Sequence, residues 1–168
     1  MRKIDTVLFD MDGTIVDFES EVKIRTGTTV LTHNAIDSSW IDAYLEREVP
    51  NKLFHHMNPL PDFEVMKHLI VTLDSMGKKV AFLSSCTHQW FDEIVEQKRF
   101  WLDKHGLSKY DLYGVQHSHE KGNYAHEGAL LIDDYHVSVD AFRKNGGTAI
   151  KHVNANLTYF QLKNLEVI

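Results

Sequence analysis

The chain has one cysteine, no long apolar run and too little positive charge to balance its acids. A single cysteine, Cys86, excludes an internal disulfide and any CxxC pair. This fits a reducing compartment. No apolar stretch approaches the ~20 residues that span a bilayer. After Arg2 and Lys3 the apolar run is broken by Asp5 and stopped by Asp10, so it is too short for a secretory signal. The expected location is the cytoplasm, with no membrane partner. The formal net charge is -6 at pH 7. Nucleic acid needs a basic face to meet its phosphates, so it is not an expected partner. A small phosphorylated substrate needs only a local positive pocket and stays in play. The sequence leaves oligomeric state open, with a homodimer as one expectation.

Hydrophobic residues make up 43% and charged residues 25% of the 168 residues, which suits one soluble domain with a small insert. Short β-like runs recur at Ile4–Phe9, Val80–Leu83, Tyr110–Val115, Ala129–Ile132 and Thr148–Val153. Between them lie helical periodicities. Phe63, Met66, Leu69, Ile70 and Leu73 precede Gly77; Trp90, Phe91, Ile94, Val95, Trp101 and Leu102 precede Gly106; Val137, Ala141 and Phe142 precede Gly146. Strands alternating with helices predict an α/β fold with a mainly parallel, Rossmann-like sheet. The first crossover needs only one helix. The surplus, residues 18–58, carries Ile36, Trp40, Ile41, Tyr44, Leu45 and Val49 on one helical face. It reads as a small helical cap or a packed decoration, and Pro59 and Pro61 mark the return to a core of residues 1–17 and 59–168. The C-terminal stretch LTYFQLKNLEVI reads as a closing helix or a partner surface.

Polar residues gather where the strands end. Asp10 and Asp12 follow the first strand, Ser84 and Ser85 the second, and Asp133 and Asp134 the fourth; Lys121 lies in the loop before that one. Ligands of parallel sheets bind beyond these ends. Clustered carboxylates repel one another and call for a cation, and all-oxygen ligation suits magnesium. A carboxylate beside a metal, a lysine and a serine makes a site for phosphoryl transfer.

DMDGT, FLSS, the loop lysine and LLIDD, in this order, resemble the four motifs of the haloacid dehalogenase-like (HAD) superfamily of phosphatases. The resemblance implies a three-layer, HAD-like core and a role for each residue. Asp10 would be the nucleophile, forming an aspartyl-phosphate. Asp12 would be the acid and then the base. Ser84 would bond the phosphoryl group, and Lys121 would hold nucleophile and phosphate together. Asp10, the Asp12 carbonyl and Asp133 would bind Mg2+, supported by Asp134. DMDGTIVDFE, KRFWLDKHG and LLIDD look in particular like the 5′(3′)-deoxyribonucleotidases. That likeness puts Phe18 in the nucleotide pocket, adds Thr14 and Ser85 to the substrate contacts, and sets His119 where the family carries an arginine. It implies a nucleoside monophosphate substrate. The alternatives are a phosphatase for a sugar phosphate or another small metabolite, and a non-catalytic module of the same fold. Ser84 could also cap the following helix, as could Asp134 the one after it, and Phe18 could simply pack.

The remaining candidates read as structural. Lys98 and Lys104 fall in the helical pattern and are expected on a solvated face. The 11 histidines include His117 and His119, which strand alternation would put on one face; they offer two ligands where zinc usually takes three or four, and read instead as surface histidines or substrate contacts. Trp90 and Trp101 read as packing. No histidine is placed to activate Cys86.

Overall fold

Five strands, β1 (Thr6–Phe9), β2 (Lys79–Ser85), β3 (Asp111–Val115), β4 (Ala129–Asp133) and β5 (Thr148–Lys151), form one sheet in the order β3-β2-β1-β4-β5. The structure is a computed structural model and describes residues 3–30, 32 and 39–168. Every strand pairing is parallel. The register aligns Phe9 with both Phe82 and Ile132, so the residues that follow β1, β2 and β4 emerge side by side.

Side chains alternate between the faces of a strand, and here both faces are apolar because both are covered. Val7, Phe9, Phe82, Leu130 and Ile132 join the larger core cluster, and Leu8, Ala81, Leu83 and Leu131 the smaller. The larger face packs on α4 (Phe63–Ser75), α5 (Phe91–Lys104) and α7 (Ala155–Asn164), and the smaller on α6 (His136–Lys144). This is the doubly covered, Rossmann-like α/β architecture read from the sequence. Strand and helix ends differ from the sequence reading by one to a few residues. β2 runs on to Ser85, because both Ser84 and Ser85 still pair with β3. The C-terminal segment forms α7 against α4, with Asn154 as its N-cap.

Residues 18–58 hold α1 (Phe18–Thr26), α2 (Trp40–Glu48) and α3 (Leu53–His56). Asp17 caps α1, accepting from Ser20 N. Ile36, expected on the apolar face of this segment, lies outside the described residues; Tyr44, Leu45 and Val49 on that face are buried. Arg25 bonds Glu21 on α1 and Glu48 on α2, fixing one helix to the other. The segment is tied to α5 through polar groups. Gln97 accepts from Phe54 N (3.2 Å) and donates to the Val49 carbonyl (2.9 Å), while Trp101 Nε1 donates to the Met57 carbonyl (2.9 Å). The two chain crossings into this segment run side by side. Val16 bridges to Pro59, and Asp17 N donates to the Asn58 carbonyl (2.9 Å). Among the described residues no helix is long and apolar enough to cross a membrane.

Candidate active site

β1 ends at Phe9 and delivers Asp10 beside β4, where Asp10 N donates to the Ile132 carbonyl (2.9 Å). The chain then turns tightly. The amides of Thr14, Ile15 and Val16 all donate to the Met11 carbonyl. Gly13 has φ +76°, and a Cβ there would meet Asp134 Oδ2 at 2.2 Å. Only glycine allows both that backbone and that approach. The turn therefore brings the Asp134 carboxylate against the DMDGT loop.

Lys121 lies in a 3-10 turn, Ser118–Tyr124, which Glu120 closes by accepting from the Gln116 and His117 amides. It is 2% exposed, and its Nζ donates to Asp10 Oδ1 and Asp133 Oδ2, each at 2.7 Å. Burial opposes its charge and the two carboxylates outweigh that, so its pKa lies above the usual lysine value. Asp133 Oδ1 accepts from Tyr135 N (2.8 Å). Asp133 and Asp134 are both pushed up from the ordinary carboxylate range, first by burial and then by the negative charge of Asp10.

A second buried lysine lies beneath the floor. Lys98, from α5, is 1% exposed; its Nζ donates to Asp12 Oδ2 (2.6 Å), Ser84 Oγ (2.7 Å) and the Ser85 carbonyl (3.1 Å). The solvated face expected for Lys98 is therefore wrong, although Lys104 is exposed as expected. The signal was present in the sequence. Lys98 lies four residues after Ile94 and three or four before Trp101 and Leu102, on the apolar stripe of the helix. A lysine inside such a stripe requires a buried partner.

Donor groups on Asp10, Asp133 and Asp134 lie within 4.8 Å of one another. Four carboxylates here (Asp10, Asp12, Asp133 and Asp134) face two ammonium groups. The excess of negative charge and the all-oxygen donor set fit a hard divalent cation.

Above this floor lies a cavity of about 530 Å³. Asp10, Asp12, Lys121 and Asp134 reach it from below, Ser85, Thr87, Gln116 and His117 from one side, and Phe18, Trp40 and Phe54 from the 18–58 segment. Two expected contacts are placed elsewhere. Ser84 is fully buried on Lys98, and the hydroxyl at the cavity is that of Ser85, which shares a hydrogen bond with Ser118 (3.1 Å). His119 is exposed and stacks on His117, and it is His117 that lines the cavity. Thr14 is buried, its hydroxyl without a hydrogen-bond partner among the described residues. Phe18 stands edge-on to Tyr44 (6.3 Å between centroids) at the cavity wall.

Three solved structures share this arrangement of strands and helices. A HAD family hydrolase from Deinococcus radiodurans, with bound phosphate and sodium, is 15% identical over 99% of this chain and 97% of its own (TM-score 0.55). A Bacillus subtilis protein classed as a HAD hydrolase, bound to magnesium, is 13% identical over 96% and 99% (0.56). A phosphoserine phosphatase carrying a phospho-aspartyl intermediate analogue is 16% identical over 94% and 99% (0.54). The chain has the HAD-like fold. Identities this low carry the fold and not the activity. No protein-family model matches the sequence, and neither does any curated protein. Within the HAD-like fold the carboxylates, Lys121 and the cavity all lie at the C-terminal edge of the parallel sheet, where such sheets bind their ligands.

Proposed function

We propose that this chain is a magnesium-dependent phosphomonoester hydrolase acting through an aspartyl-phosphate, with nucleoside monophosphates as its substrates. The observation that carries this reading is Lys121 held between Asp10 and Asp133, with Asp134 alongside, at the floor of an open cavity. Asp10 attacks phosphorus as the ester P–O bond breaks, and Asp12 gives its proton to the departing oxygen. Asp12 then takes a proton from the water that attacks phosphorus, and the Asp10–phosphorus bond breaks to release phosphate. Lys121 offsets charge on the phosphoryl oxygens, and the Ser85 hydroxyl at the cavity donates a hydrogen bond to them. Asp10, Asp133, Asp134 and the Asp12 carbonyl would hold the cation, which supplies further neutralisation of phosphoryl charge.

The nucleotide preference rests on the opposite wall. Residues 18–58 act as a cap on the core formed by residues 1–17 and 59–168, and they present Phe18, Trp40 and Phe54 to the cavity. A flat base stacks on such rings; a sugar phosphate has nothing to offer them. Magnesium-dependent phosphate release is measured on nucleoside monophosphates, sugar phosphates and an aryl phosphate. The reading requires turnover of the nucleotides with the highest kcat/KM. Turnover of sugar phosphates alone would retain the phosphatase and remove the nucleotidase, and no turnover of any ester would remove both.

A further inference from the structure

We propose that Lys98 is a positioning residue that aims Asp12, an inference that rests on Asp12 being the acid and base of the proposed reaction. Lys98 does not line the cavity, whereas Lys121 does. The three N–H bonds of its ammonium already have three oxygen acceptors, on Asp12, Ser84 and Ser85. It therefore has no donor left for a substrate and acts through the carboxylate it holds. That grip is one-sided. Asp12 Oδ2 is fixed to Lys98, while the buried Asp12 Oδ1 has no hydrogen-bond partner among the described residues. Oδ1 is closed off by burial, so the Lys98 grip on Oδ2 sets how this partly exposed carboxylate, which lines the cavity, faces a leaving group.

The seat of Lys98 is itself braced from three directions. Ser84 and Ser85 come from β2, Asp12 from the loop after β1, and the Phe54 ring from α3 covers Nζ at 4.8 Å from its centroid. The adjacent Gln97 holds α3 and the preceding turn by their backbones. A single turn of α5 thus fixes both the 18–58 segment and the side chain that moves the proton. The role of the Ser84 hydroxyl follows: it holds Lys98 in line with Asp12.

The test compares kcat/KM for an aryl phosphate, whose leaving group needs no proton, with that for an alkyl phosphate, whose leaving group does. Both rates scale with the folded fraction, so their ratio is insensitive to partial unfolding. The proteins are the native chain, Lys98→Met, Lys98→Gln, Asp12→Asn and the double variant Asp12→Asn/Lys98→Met. Misaiming a proton donor by a fraction of its reach costs about 10- to 100-fold. Lys98→Met and Lys98→Gln should therefore raise the aryl-to-alkyl ratio by about that factor. Lys98→Met should add nothing to the ratio once Asp12 is Asn. A native ratio in both Lys98 variants overturns the inference, as do losses that multiply in the double variant. A native ratio in Asp12→Asn instead overturns the role of Asp12, so the two failures are told apart.

Discussion

The strand ends beneath the cavity and the 18–58 segment above it differ in what holds them in place. Below, charge meets charge. Two buried lysines are shared among three carboxylates, and each charge is buried only because a partner is. Above, mostly apolar side chains face the same space, with Glu19 among them; the ties to α5 run through backbone groups of α3 and its neighbours, and the Arg25–Glu48 pair joins α1 to α2 outside the cavity lining. The lower region cannot change one member without leaving another charge unpaired, at a cost of about 3–5 kcal/mol. The upper region can exchange one apolar group for another of like volume at under about 1.5 kcal/mol. On the proposed function, the chemistry is fixed where substitution is costly, and substrate choice lies where it is cheap.

Substitutions below should act whether or not the ester carries a base, and the largest effect is expected at Asp10. Asp10→Asn keeps the size and removes the anionic nucleophile, so hydrolysis of all esters should fall by several orders of magnitude. A purified variant with substantial turnover on any ester would break the division between the regions. Next comes Asp12→Asn, which should lose about 10²–10⁴-fold on esters with poor leaving groups. Pre-steady-state phosphorylation of alkyl and aryl phosphates measures it; equal losses on both would deny the proton role.

The third prediction concerns pH. Asp133 and Asp134 have folded-state pKa values pushed up to about 6 and about 8, first by burial and then by the negative charge of Asp10. A raised carboxylate pKa means that the folded chain binds protons more tightly than the unfolded one. Its stabilising effect is complete at low pH and is lost as pH rises through the folded value. Without divalent cations, the melting temperature should therefore fall between about pH 4 and pH 8. Saturating magnesium should remove most of that slope, because a cation takes the place of the protons. A chelated protein whose melting temperature is flat or rising across this range would contradict the crowding of these carboxylates. The smallest effect belongs to the upper region. Phe18→Ala should lower kcat/KM for nucleoside monophosphates by about tenfold, at ~1–3 kcal/mol per stacked base, and leave an ester without a base nearly unchanged. Equal losses on both would make Phe18 a packing residue.

The same contrast explains what could be read from the sequence. The sheet was legible because each strand is a short apolar run that stops at a polar residue, and parallel pairing brings those stops together. Asp10, Asp12, Lys121 and Asp133 carry motif spacings that survive without a structure. Ser84 and Ser85 were visible as a pair, but both still pair with β3, and which of them faces the cavity depends on which side of the strand Lys98 occupies, a tertiary fact. Lys98 was hidden by its type, since a lysine in a helix usually finds water, and only its place on the Ile94–Trp101 stripe argued otherwise. His119 was chosen because it stands where the resembled family carries an arginine, but the 3-10 turn Ser118–Tyr124 leaves it exposed and gives the cavity His117. Residues 18–58 gave an apolar periodicity and little more, because apolar walls have no spacing rule comparable to that of a metal site.

The crossing at Val16 and Pro59 has a consequence for how such a protein can diversify. The insert leaves and re-enters through neighbouring backbones joined by the Asp17–Asn58 hydrogen bond. A replacement of another length has only to span that small gap, and the entropy of closing it grows slowly with length. The stem thus serves as a grafting point. A foreign lid of different shape can be sewn in there while β1, β2 and β4 keep their register, and the transplant would change what reaches the cavity without moving the carboxylates and lysines beneath it.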